Sequence, residues 1–137
     1  MIEDVLKAVH ARLFANSELT AIVGNRIQYA RAPIGTTYPQ VIYFDVASRT
    51  EAVADYDKVT VQFSAWSSDK FEALRLNKLL YEMWLRYTGT VDIGGGEELR
   101  VNWTQLVDQS ALPQDDPQLF GYQLRFEIRA KGANIGA

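Results

Sequence analysis

Between Lys58 and Tyr87 the chain passes from one strand pattern directly into one long helix pattern that carries more apolar surface than a single sheet covers. In KVTVQFSAW, Val59, Val61, Phe63 and Ala65 alternate with Thr60, Gln62 and Ser64, the period of two that puts one face of a strand in a core. Ser67, Ser68 and Asp69 break the alternation. An oxygen there can accept from a free backbone N–H of the following helix, and Asp69 with Glu72 predicts a capping box, so the helix starts near Lys70. At about 100° per residue, Ala73, Leu76, Leu80, Met83, Trp84 and Tyr87 share one face, interrupted by Asn77, and this is the face predicted to lie on a sheet. Phe71, Leu74, Tyr81 and Leu85 make a second stripe, while Glu72, Arg75, Glu82 and Arg86 mark the wet side. The second stripe requires another helix or another subunit.

The remaining elements arrange themselves around this unit. Ile2, Val5, Leu6, Val9 and Leu13 predict an amphipathic first helix. Asn16 and Ser17 are cap residues for a short helix bearing Leu19, Ile22 and Val23, which Gly24 ends. A brief strand, 26–29, precedes a Pro- and Thr-rich loop over 30–40. The next strand, 41–47, is apolar on both parities, which predicts a central strand covered on both sides. Residues 48–57 read as a polar, acidic connection. Strands at 90–93 and 98–107 form a hairpin across Gly94, Gly95 and Gly96, with Leu99, Val101, Trp103 and Val107 on one face. A second loop spans 109–118. In the last strand, Phe120, Tyr122, Leu124, Phe126 and Ile128 alternate with polar residues. The sum is an α+β domain over 1–130, a mainly antiparallel sheet of four to five strands under an N-terminal helix and one long helix, then a flexible tail at 131–137.

Chemistry is sparse. With no cysteine among 137 residues, disulfides, thiolate nucleophiles and Cys-rich zinc sites are excluded. His10 is the single histidine, at the edge of the first helix's apolar face, without a second histidine to build a metal pair. The Gly94–Gly96 run lacks the Lys-Ser or Lys-Thr of a phosphate-cradling loop. Glu97–Glu98 and Asp115–Asp116 read as solvated turn charge, since neighbouring strand residues point to opposite faces. Asn102-Trp103-Thr104 matches a glycosylation sequon, but the N-terminal stretch reads as a mature amphipathic helix without a signal peptide's basic start and apolar run. No catalytic, cofactor or metal site is expected. A net charge of −3 disfavours sequence-independent grip on nucleic acid, and no apolar run approaches the ~20 residues that span a bilayer. Left over is an aromatic surplus: Trp66 on the polar parity of its strand, and Tyr29, Tyr38, Tyr43 and Tyr56 in or near loops. Together with Phe71, Leu74, Tyr81 and Leu85, Trp66 and Tyr56 are the candidate oligomer or partner interface.

The order of elements, with LTAIVGNRI at 19–27, Ala32-Pro33, Tyr38-Pro39 and the VTVQFSAW strand entering a helix, resembles the tail-completion or tail-terminator proteins of long-tailed bacteriophages over residues 2–130. The resemblance implies a structural protein without catalytic residues, assembled in a bacterial host cytoplasm and carried in the tail or neck of the virion. It implies a homo-oligomer, a hexameric ring on the end of the tail tube protein that stops tube growth and meets the head connector protein. Nucleic acid would pass through such a ring without sequence-specific binding, aided by an acidic lining from Glu51–Asp57 or Asp115–Asp116. Two alternatives stand beside it: another small neck protein of the head-to-tail joint, and a monomeric ligand- or peptide-binding module whose aromatics and 30–40 loop line a pocket.

Overall fold

The computed structural model describes residues 2–31, 37–51, 56–112 and 119–132. In chain order the elements are α1 (Ile2–Ala15), α2 (Ser17–Val23), β1 (Ile27–Tyr29), β2 (Gln40–Glu51), β3 (Tyr56–Ser67), α3 (Lys70–Trp84), β4 (Gly89–Gly94), β5 (Glu97–Leu112) and β6 (Phe120–Gly132). The α+β class is as expected. The sheet has six strands rather than four to five, in the order β1-β2-β3-β6-β5-β4, and its pairs are antiparallel except for the short parallel pair of β1 with β2.

Strand length accounts for most departures from the sequence reading. The acidic stretch 48–57 is largely strand: Ser48 pairs with Val59, Arg49 with Lys58, Thr50 with Asp57 and Glu51 with Tyr56, leaving 52–55 between the strands and outside the described residues. Asp57 is buried within β3. β5 runs on to Leu112 and β6 to Gly132, where Leu99 faces Gly132 and Arg100 faces Lys131, so 109–112 and 131–132 are strand as well. Asp115 and Asp116, and the Ala32-Pro33 pair, lie outside the described residues. A polar sequence without alternation conceals such extensions, because their pairing rests on backbone hydrogen bonds rather than on an apolar face.

The core lies between one face of the sheet and the helices. Val59, Val61, Phe63 and Ala65 of β3 and Leu124, Phe126, Ile128 and Ala130 of β6 are buried against Leu76, Leu80 and Trp84 of α3. Phe63 stacks on Trp84 with ring centroids 5.5 Å apart and meets Phe126 edge-on. Helix α1 packs on β4 and also touches β2, β3 and β5. β2 and β4 are four strand spacings apart, ~19 Å in a flat sheet against a helix diameter of about 10 Å, so the sheet must curl for one helix to reach both.

Two β-bulges reset the alternation. One lies between Val101 and Trp103, the other between Leu106 and Asp108. Leu99 and Val101 are buried, but past the first bulge Thr104 takes the inward parity, Trp103 is half-buried and Val107 is 56% exposed, which corrects the single face expected for those residues. A third irregularity, between Asp45 and Ala47, leaves Val46 exposed. β2 is therefore not covered on both sides: Val41 and Tyr43 are buried, whereas Ile42 and Phe44 are half-buried on the other face.

That other face is a polar ladder. Arg125 donates to Gln62 at 2.9 Å, Gln62 donates to Ser64 at 3.1 Å, Lys58 pairs with Glu127 at 3.2 Å, and the Arg129 guanidinium sits 4.1 Å from the Trp103 ring centre. Trp66 lies across Gly121, where a Cβ would fall 2.5 Å from its ring carbons. Replacing Gly121 by Ala forces the indole off this strand, and the expected cost is about 1–3 kcal/mol in a urea titration, with the double variant Gly121→Ala, Trp66→Leu recovering part of it.

Candidate functional site

Helix α3 is held at its N-terminus by the residues just before it and at its C-terminus by side chains from elsewhere in the chain. Asp69 caps the N-terminus, accepting from Phe71 N–H at 2.9 Å and Glu72 N–H at 3.4 Å. The expected reciprocal arm of a capping box is replaced by a relay: Asp69 N–H donates to Ser67 Oγ, and Ser67 Oγ donates to Glu72 Oε1. At the C-terminus, Arg12 of α1 donates to the Met83 carbonyl at 2.9 Å while its guanidinium stacks 3.4 Å from the Tyr87 ring centre and 4.9 Å from that of Trp84. The Thr104 hydroxyl lies 2.7 Å from the Trp84 carbonyl and 3.0 Å from the Tyr87 carbonyl. These contacts take up carbonyls that a continuing helix would use. The helix accordingly stops at Trp84 rather than at Tyr87, Leu85 becomes its C-cap, and Arg86 turns left-handed at φ 55.

The helix buries Ala73, Leu76, Leu80, Met83 and Trp84 and leaves a stripe in water. Phe71 is 81% exposed, Leu74 39% and Leu85 37%, while Tyr81 is half-buried at the core's rim. With Lys78, these residues follow a 3-4-3-4 spacing along the helix, the spacing of a seam that meets a second helix or a groove. Lys78, 3.9 Å from Glu82, is the polar interruption that the apolar pattern alone does not reveal. Trp66 and Tyr56 stand elsewhere. Both sit on the polar face of β3, away from α3, Trp66 over Gly121 and Tyr56 beneath the Arg129 guanidinium at 5.6 Å.

A second feature is a groove of about 820 Å³ beside α1, lined by Ile2, Leu6, His10, Tyr29, Tyr43 and Ile93 among others. It arises where the curled sheet brings β2 and β4 to either side of α1, a juxtaposition invisible in a linear pattern. His10 Nδ1 lies 2.9 Å from the Tyr43 hydroxyl, and its ring packs on Phe14. Tyr29 donates to Asp45 and meets Tyr43 edge-on. The bond to the Asp45 carboxylate holds the Tyr29 phenol above its ordinary pKa, and burial does the same for Tyr43. Among the described residues no cluster of three His, Asp or Glu is placed to hold a metal, and no helix is long and apolar enough to cross a membrane.

A family model described as tail completion protein gp17 matches residues 7–131. Among solved structures, a chain from the virion of a native gene transfer agent particle has the same fold, with a TM-score of 0.69 and 18% identity over 91% of this chain and 92% of that one. No curated protein matches the chain.

Two outcomes follow from the geometry. Arg12→Met keeps the stem but strands the Met83 carbonyl, and should cost about 1–3 kcal/mol in chemical denaturation, whereas Lys7→Met, whose partner Glu3 is on the surface, should change stability by less than about 0.5 kcal/mol. Tyr29 with a raised folded pKa favours the fold below pH 10.0, its unperturbed value, and loses that contribution as pH rises through the folded value. Absorbance titration of Tyr29→Phe should therefore lose part of the tyrosine transition above pH 10.0, and its stability should fall less steeply there.

Proposed function

Because the chain belongs to the tail completion protein gp17 family and so has a structural role in a phage-type tail, we propose that it acts as a ring of identical copies, a hexamer, seated on the end of the tail tube. There it stops elongation of the tube protein and presents a surface to the head connector protein. Assembly takes place in the bacterial host cytoplasm, and the finished protein stays in the tail or neck of the virion. The observation that carries this reading is the α3 stripe: Phe71, Leu74 and Leu85 remain in water in the single copy, on a helix fixed at both ends and therefore presented rigidly. The fold's presence in a gene transfer agent virion supports the same placement. A sequence with no cysteine and one histidine offers no thiolate nucleophile and no histidine pair, in keeping with a structural role.

One observation favours a second reading. The groove beside α1 has the apolar lining and the few polar groups of a ligand or peptide site, so a monomeric binding module would use Tyr29, Tyr43 and His10. A chain that stays monomeric and retains a ligand through purification would favour that reading over the ring.

Phe71→Glu and Leu74→Glu should convert an assembled species into single copies in sizing chromatography while the circular dichroism spectrum is unchanged. Leu80→Glu, which puts a charge at a fully buried position, should abolish the fold itself. Particles made without this protein should show tails of uncontrolled length or heads and tails left apart; normal, joined particles would contradict the proposal.

A further inference from the structure

Two apolar surfaces of the chain differ in shape. One is convex, the α3 stripe led by Phe71 and Leu74. The other is concave, the groove beside α1 that Ile2, Leu6 and Ile93 help to line. No residue of α3 lines that groove, and the inward face of α3 is committed to the core through Leu76, Leu80 and Trp84, so a copy does not seat its own stripe in its own groove.

Opposite charges edge the two surfaces. At about 100° per residue, Lys70 flanks the stripe on one side and Arg75 on the other, while Lys78 stands within it, and all three are exposed. Glu82 is the acid on this side of the helix, 3.9 Å from Lys78, and Glu72 is taken up by Ser67. The groove has a carboxylate on each of three walls: Glu3 on α1, Asp45 on β2 and Asp92 on β4. Its lysine, Lys7, is 3.5 Å from Glu3. Asp92 also stands directly across from Glu98 of β5, a like-charge pair that an incoming cation would relieve.

Helix-in-groove recognition is read as anchors at i, i+3, i+4 and i+7, and Phe71, Leu74 and Lys78 follow that spacing. Phe71, at 81% exposed, is the aromatic anchor. Because the two surfaces differ, joining them is head to tail. Each contact uses the stripe of one copy and the groove of the next, and every surface is filled only when the series closes.

We propose that the α3 stripe of one copy seats in the α1 groove of the next, with Phe71 against Ile2, Leu6 and Ile93 and with Lys70 and Lys78 toward the carboxylates. This names the contact within the ring reading given above and rests on it. Phe71→Glu spoils the stripe and keeps the groove. Glu3→Lys with Asp92→Lys reverses the charge of the groove's rim at two exposed positions and keeps the stripe. Each variant alone should lose the assembled species in native mass spectrometry with its circular dichroism unchanged, since like charges brought together across an interface repel. Mixed in equal amounts, the two should give one new species, a pair with one copy of each, and nothing larger, because a single intact stripe and a single intact groove remain to meet. A rim variant that assembles like the unaltered protein, or a mixture without the pair, would overturn the seating and leave the ring standing. Should the rim variant fail to fold, the absence of native cysteine allows a second test with Lys7→Cys and Lys78→Cys in one chain. A short bismaleimide should then give a ladder at multiples of the chain mass, and neither single variant should. A missing ladder, or dimers from Lys78→Cys alone, would overturn the seating. An unaltered chain that remains single at every concentration would overturn both the seating and the ring.

Discussion

The structure depends on how the last turn of α3 is closed. Unused carbonyls at a helix end must find donors, and when water is excluded an orphan costs about 1–3 kcal/mol. Here the donors come from residues 12 and 104, on α1 and β5, so that one helix end joins three parts of the chain that are far apart in sequence. The guanidinium of Arg12 lies against both the Trp84 and Tyr87 rings, which meet edge-on, and the Trp84 ring stacks in turn on Phe63 of β3. Loss of the closure would loosen α1, the start of β4 and the core together.

Its functional consequence is orientation. Ending the helix at Trp84 turns Leu85 outward as the cap residue, in line with Phe71 and Leu74, while the Asp69 and Ser67 relay fixes the other end. An apolar stripe on a loosely held helix would lose entropy on docking. One clamped at both ends has already lost it, which is the condition for an efficient interface. The curl of the sheet around α1 is the second determinant, since it opens the groove between β2 and β4.

Much of this was legible in the residues. The period-two runs at 59–65 and 120–128 and the helical period after Lys70 identified β3, β6 and α3, and Asp69 and Asn16 marked their helix starts, because burial and capping act on neighbours a few residues apart. The second stripe followed from counting apolar faces. What escaped was set by contacts between distant residues. Nothing local announces that Arg12 and Thr104 end α3, that bulges near 102 and 107 exchange the faces of β5, or that polar residues 48–51 and 109–112 continue strands. The candidate set mixed two surfaces for the same reason: Phe71, Leu74, Tyr81 and Leu85 share a helix, but Trp66 and Tyr56 belong to the polar ladder on the far side of the sheet.

The central claim is that apolar surface left in water by one copy is covered by others of its kind. Native mass spectrometry of the unaltered protein over a range of concentrations measures this most directly. A discrete species at a fixed multiple of the chain mass, growing at the expense of the single chain as concentration rises, is the predicted result. A single chain mass throughout would contradict it.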